Sequence, residues 1–446
     1  MHLNRINALI LGAATFMAAA CSSDDAPQTP PDPEVPATGQ DTPADVLYEV
    51  NPRFYGDKEC LKALTADIPR IKSMNVNILW VMPPYEIGEL KSIGSPYCVK
   101  DYKKIDPALG SIDDFRQLVK AAHGAGMKVI LDWVANHTAF DNPWTLTNPE
   151  RYRKDTDGNI AATPAWGDVA QLDYNSPSTR EAMIDAMGYW VREADVDGFR
   201  CDYSDGVPHD FWKEDIEALT LLRPDIFMLA ETNDTSFYSD GFDMVYDWGF
   251  PDAVTSLYKS GNTARFYDYI VSRNALVPSG KSMLRYAFNH DVAAENDVAT
   301  MYGGTDGTVL AYLLAAFSGE TPLIYSSMDV EGLSGRLSFF GNAHRKLSFS
   351  DKLTKVYADI NAAFVKTAAA RGGSLTTYTS KDAVILGFAN GSRKLLVVAN
   401  PANQPASVKL PIAFTGTSMT NMLTDEATVV PVSAELPAFG YLIFAN

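Results

Sequence analysis

Four short stretches of this 446-residue chain place charged or polar groups at the end of an apolar run. They are LDWVANH, with Asp132, Asn136 and His137; GFRCD, with Arg200 and Asp202; LAE, with Glu231; and FNHD, with Asn289, His290 and Asp291. Arg200 and Asp202 are two residues apart, so on a strand they point the same way. Charges are rarely buried unless paired. One such ending could be a structural ion pair. Four on one mouth crowd like charges and shift each other's proton affinity, which points to a working site. Three convergent carboxylates suit glycoside hydrolysis. In its retaining form one carboxylate attacks the sugar while a protonated one, roughly 5 Å away, donates to the leaving oxygen. Arg200 is expected to keep Asp202 ionised and nucleophilic, and Glu231 needs a raised pKa to act as the acid. Asp/Glu/His clusters also bind cations; the arginine inside this one disfavours that reading.

Such groups need strands that end together. Eight β-rich runs recur from about residue 45: VLYEVNPRF, VNILWVMPPY, KVILDWVANH, DGFRCD, IFMLAE, FDMVYDW, MLRYAFNHD and TPLIYSS. Several are nearly all apolar before a polar tail, as in strands buried on both faces of a parallel sheet. Helical patterns separate many of them. SIDDFRQLVKAAHGAG carries a serine cap, early acids and a terminal glycine. TDGTVLAYLLAAFSG is apolar nearly all round and should be deeply buried. The expectation is an α/β fold, a TIM (β/α)8 barrel over residues 45–372, whose active site lies at the strands' C-terminal ends. Residues 138–175 form a small insertion after the third strand, with a hairpin turned at Asp157-Gly158. Asp155, Asp157 and Asn159 lack the closing glutamate of a calcium loop and read as a turn. Residues 373–446, with alternating β runs and Asn-Gly and Asn-Pro turns, read as a C-terminal β-sandwich.

Taken together, DWVANH, GFRCD, the strand ending in Glu231, and NHD resemble, in order and spacing, the sequence regions of the α-amylase family, glycoside hydrolase family 13. SPYCVKDYKKIDPALGSIDDF and the run QLDYNSPSTREAMIDAMGYWVREADVDGFRCD are similar to the family's segments after the second strand and before the nucleophile. The resemblance covers about residues 45–446. It implies Asp202 as nucleophile, Glu231 as general acid/base and Asp291 as the carboxylate that distorts the sugar and stabilises the transition state. It implies Tyr97 stacking under the sugar, His137 and His290 hydrogen-bonding it, and Asp132 helping to hold Arg200. The implied activity is retaining hydrolysis of α-1,4 bonds in starch, glycogen or maltooligosaccharides. Transglycosylation, α-1,6 action and a non-catalytic surface glycan-binding role are the alternatives. Two departures stand out. Asp205 and Gly206 occupy the places where many relatives carry Lys-His. Asn136 matches a calcium ligand of the family, but its partner position holds Gln171, with Asp168 and Asp173 nearby. A structural calcium is therefore allowed but unsupported, and no cofactor is required.

The formal net charge of −18 argues against a nucleic-acid partner, and a hydrophobic share of 46% against disorder over most of the chain. His2 and Arg5 precede an apolar run, residues 8–20, too short for a comfortable membrane span and ending AAAC. This resembles a bacterial lipoprotein signal, residues 1–20, with Cys21 as the lipid attachment site. A Pro/Asp/Ser/Thr-rich tether fills residues 21–44. The expected protein is a monomer exported by a Gram-negative cell. It is tied to the outer membrane only by lipid, on the periplasmic or cell-surface side. Cys60 and Cys98 could form a bridge; Cys201, flanked by Arg200 and Asp202, should face the helices as a small buried residue.

Overall fold

A computed structural model describes residues 44–446 except 342. The expected signal peptide, Cys21 and all but the last residue of the expected tether lie outside the described residues. Eight parallel strands close a barrel, each paired to its neighbours in sequence and the first to the last. They run Leu47–Val50, Ile78–Val81, Lys128–Trp133, Gly198–Cys201, Phe227–Ala230, Met244–Tyr246, Ser282–Tyr286 and Thr321–Tyr325. Seven fall within the runs picked out by composition, and the seventh strand starts one residue before its run, at Ser282.

The strand period sorts the side chains. Leu47, Ile78, Trp80, Ile130, Leu229, Met244, Tyr246, Leu284, Tyr286 and Leu323 fill the barrel interior. Alternate residues such as Tyr48, Leu79, Val129, Phe199 and Cys201 pack outward against the helices. The fourth strand opens on Gly198 because a Cβ there would lie 1.9 Å from the Phe227 carbonyl oxygen of the next strand. The helix Ile112–Gly124 starts where the sequence signals it. Ser111 caps it, and Asp114 returns a bond to the Ser111 N–H. One unit departs from the strand–helix pattern: only the 3-10 turn Thr235–Asp240 lies between the fifth and sixth strands.

The insertion is a small antiparallel excursion. His137–Ala139 pairs with Val169–Gln171, and Lys154 bridges Ile160 around the Asp157-Gly158 turn. Asp155 spends its Oδ1 on the N–H groups of Asp157 and Asn159, so it closes a turn. The C-terminal region has a six-stranded antiparallel sheet facing a two-stranded one. Its strands alternate sharply. Val384, Leu386, Phe388, Leu395, Val397 and Ile443 join the barrel's outer core, while Ile385, Leu396, Val398, Leu442 and Phe444 line the sandwich's own core. The apolar helix Thr305–Phe317 packs between the barrel and this sheet.

The Cys60–Cys98 bridge is not formed. Both thiols are free and buried. Cys60 heads the helix Cys60–Ser73, where its Sγ donates to the Gly56 carbonyl, while Cys98 packs on Ala139 and Val169 beneath the insertion. Cys201 is also free and buried, on the outward face. No helix among the described residues is long and apolar enough to cross a membrane.

Candidate active site

Arg200 is the hub. It is fully buried at the end of the fourth strand, facing inward. Its Nη1 donates to Asp132 Oδ1 at 2.8 Å and to Asp202 Oδ1 at 3.1 Å, and Nε donates to the Tyr246 hydroxyl at 3.1 Å. Nη2 lies 2.6 Å from Glu231 Oε1, an ion-pair contact without hydrogen-bond alignment. The rings of Trp80, Tyr97 and Tyr246 surround the guanidinium at 5.1–5.7 Å.

The carboxylates divide by depth. Asp132 is sealed beneath; its Oδ2 accepts from Trp80 Nε1 and from the Tyr97 hydroxyl, both at 3.0 Å. Asp202, Glu231 and Asp291 open to the cleft, with side chains 13%, 12% and 34% exposed. Burial pushes Asp202 up to about 6 against the pull of Arg200. Burial lifts Glu231 much further, again against Arg200 and with repulsion from Asp202 added. The expectation that Arg200 simply keeps Asp202 ionised is therefore sharpened. Shared among three carboxylates, the arginine only partly offsets burial, yet Asp202 keeps the lower pKa of the pair. Glu231 Oε2 also accepts the Tyr203 N–H, at 2.5 Å, where the chain turns in a left-handed conformation at φ 39°.

Two histidines flank these groups in opposite states. Burial pushes His137 down to about 4, so it is neutral. Gln171 Nε2 donates to Asn136 Oδ1 at 2.9 Å, which turns the Asn136 Nδ2 toward His137 Nδ1 at 3.2 Å. The ring proton of His137 is thereby set on Nε2. His290 differs. Burial alone would lower its pKa, but Asp291 and Glu49 outweigh it and raise it to about 9. Glu49 meets Nδ1 at 2.5 Å, and Nε2 lies 2.8 Å from the Tyr97 hydroxyl. The Tyr97 ring stacks on His290, centroids 5.3 Å apart.

The structure thus gathers Asp132, Asn136, His137, Arg200, Asp202, Glu231, His290, Asp291 and Tyr97 around one mouth. Sequence reasoning missed Glu49. Its signal was available: a carboxylate on the same inward face as Leu47, near the end of an apolar strand. The departures also have structural explanations. Asp205 accepts from Thr232 Oγ1 at 2.8 Å, tying two strand ends together. A Cβ at Gly206 would lie 2.5 Å from both Asn136 Oδ1 and the Tyr203 ring. At the rim, Trp166 of the insertion meets Tyr203 edge-on at 5.1 Å, each residue 40% exposed.

For the calcium that the resemblance allowed, the residues do not fit. The Asn136 carbonyl and Oδ1 oxygens already receive the Gln171 amide, at 3.1 and 2.9 Å. A donor amide stands where a cation would need to be. Among the described residues no group of three His, Cys, Asp or Glu is arranged to hold a metal ion.

The family model for the α-amylase catalytic domain matches residues 40–157. This match and the relatives support an α-amylase-family catalytic domain. Alpha-amylase 3 of Dictyoglomus thermophilum is 25% identical over 65% of this chain, and a cyclomaltodextrinase of Geobacillus thermopakistaniensis is 25% identical over 78%. The aligned region spans 64% of the length of each. A maltogenic α-amylase structure from Thermotoga neapolitana superposes with TM-score 0.78 at 27% identity, covering 90% of this chain and 98% of that one. The α-amylase-type architecture, a closed parallel barrel followed by an antiparallel β-domain, is therefore matched from the first strand to the last.

Proposed function

We propose that the chain is a retaining α-glucan hydrolase that cleaves α-1,4 bonds of starch, glycogen or maltooligosaccharides. The observation that carries this reading is one guanidinium contacting two cleft carboxyls, Asp202 and Glu231, whose proton affinities are driven apart. Ionised Asp202 attacks the anomeric carbon while protonated Glu231 gives its proton to the departing glycosidic oxygen. Glu231, now a carboxylate, takes a proton from water, and that water releases the sugar from Asp202. Asp291 and protonated His290 sit together beside the pocket and would bind the hydroxyls of the sugar under attack. The relatives' names, cyclomaltodextrinase and α-amylase, agree with an α-glucan substrate.

The test is Asp202→Asn with a substrate panel. The variant should keep the wild-type melting temperature and lose hydrolysis of maltoheptaose, and NMR of early wild-type products should show the α-anomer. Wild-type activity in the variant, or an initial β-anomer, would sink the assignment. Pullulan and isomaltooligosaccharides in the same panel separate α-1,4 from α-1,6 action, and longer products reveal transglycosylation. The export reading, a lipid anchor at Cys21 on the outer membrane, is part of the proposal. Cys21→Ser should move the protein from the membrane to the soluble fraction.

A further inference from the structure

We propose that Glu49 is a positioning residue that shares one buried proton with His290 and so holds the His290 Nε2–H as a hydrogen-bond donor in the sugar pocket. The proposal rests on the hydrolase reading for its purpose, but its geometry stands apart from it. Glu49 and His290 are both buried, and Oε1 lies 2.5 Å from Nδ1. The other carboxylate oxygen, Oε2, meets no protein donor among the described residues, so the imidazole is the chief partner of this carboxylate.

The hydrogen-bond order beyond His290 fixes where the protons are. The Tyr97 hydroxyl has one hydrogen, and Asp132 Oδ2 is a carboxylate acceptor at 3.0 Å. Once that hydrogen points to Asp132, the Tyr97 oxygen can only accept from His290 Nε2 at 2.8 Å. Nε2 must then carry a hydrogen, and the second proton lies between Nδ1 and Glu49. The chain runs Glu49, His290, Tyr97, Asp132 and then Arg200, crossing the barrel mouth from the first strand to the fourth. Asp291 Oδ1, 3.4 Å from Nε2, is within the same donor's reach. A sugar hydroxyl entering beside Asp291 would share that N–H with the Tyr97 oxygen.

The charged and titratable groups facing His290 are Asp291 on its own helix, Glu49 on the first strand, Tyr97 on the loop after the second, and Arg200 and Asp202 on the fourth. Asp132 and the hydroxyls of Tyr246, Tyr286 and Tyr325 face Glu49. The flanking rings of Trp80 and Phe339 do not titrate. With Glu49 in place, the anions outweigh burial and Arg200, and the imidazole stays protonated through neutrality.

The experiment replaces the carboxylate by its amide, Glu49→Gln, in the full chain. Histidine ring NMR, with His290→Asn identifying the signal, reads the His290 titration without substrate. The wild-type midpoint should lie near 9. In Glu49→Gln it should drop by about two units or more, since burial then acts against fewer anions. In parallel, kcat/KM on maltoheptaose should fall about tenfold or more at pH 7.5 and recover toward wild type at pH 5.5, where solvent restores the proton. A purely structural role would lower activity equally at both values. A midpoint within half a unit of wild type, or a pH-independent loss, overturns the proposal. Should Glu49→Gln not fold, Glu49→Asp takes its place: withdrawing the charge by one methylene should lower the midpoint by about one unit, and an unchanged midpoint overturns the proposal. Because the titration needs no substrate, it can succeed or fail independently of whether the protein hydrolyses α-glucans.

Discussion

Changing Asp132 to Asn tests the buried half of the site. The substitution keeps size and shape and removes one charge. Both carboxylate oxygens are committed: Oδ1 to Arg200, Oδ2 to Trp80 Nε1 and the Tyr97 hydroxyl. The amide can present its oxygen to Arg200, but its NH2 then faces the Trp80 N–H, a donor against a donor. Orphaning that buried N–H costs about 1–3 kcal/mol. Arg200 also loses its one fully buried counter-charge, for which breaking a buried pair costs about 3–5 kcal/mol. Retention of the oxygen–guanidinium bond recovers part, leaving about 3–5 kcal/mol in total. For a chain of this size that is a fall in Tm of roughly 5 °C. Thermal unfolding followed by circular dichroism reads it directly. The NH2 would also turn the Tyr97 hydroxyl hydrogen toward His290, so activity should fall about tenfold or more even in the folded fraction. A Tm within about 2 °C of wild type would mean that Asp132 is not the anchor of Arg200.

Three further outcomes follow from the same geometry. The acid limb of the kcat/KM–pH profile should lie near 6, where Asp202 gains a proton and ceases to be a nucleophile; activity should fall ~100-fold by pH 4, and a flat profile down to pH 4.5 contradicts this. Dialysis against EDTA should leave the wild-type Tm unchanged, whereas Gln171→Glu, which turns a donor into an anion facing two Asn136 oxygens, should cost about 1–3 kcal/mol; a wild-type Tm that drops in EDTA would show a metal in that place. Asp215 is buried on the helix His209–Leu222, neither oxygen meets a protein donor among the described residues, and burial raises its pKa well above the ordinary value. The stability it contributes is full below pH ~4 and is lost as pH rises through its folded-state pKa, so Asp215→Asn should raise Tm more at pH 8 than at pH 5, and an equal change at both refutes the burial argument.

The barrel was legible because its strands are buried on both faces, which leaves nearly continuous apolar runs such as KVIL and MLRY. The gathering of the strand-end carboxyls around Arg200 was legible because a charge at the end of such a run has few structural uses. Glu49 escaped notice because its partner His290 lies 241 residues away. The strand period puts it on the inward face with Leu47, but only the closed barrel shows what it meets there. The turn after Glu231 was opaque for the opposite reason: TSFYSD has no helical apolar stripe, and the chain spans the gap to the sixth strand with a single 3-10 turn. Gln171 was found by position, but its meaning depends on the direction of a hydrogen bond, which a single sequence does not carry.

The C-terminal sheet has consequences for how this molecule can be cut. Its inner face, from Val384, Leu386 and Phe388 to Ile443, is continuous with the core outside the barrel strands. Six such side chains, at roughly 1.5–3 kcal/mol each, give an upper figure on the order of 10 kcal/mol for the seam. That rivals the stability of a whole domain. The β-domain is therefore no detachable module. A barrel fragment ending near Arg371 would expose a greasy flank along the Thr305–Phe317 helix and aggregate, and a chimera that exchanges the β-domain must bring a matching helix with it.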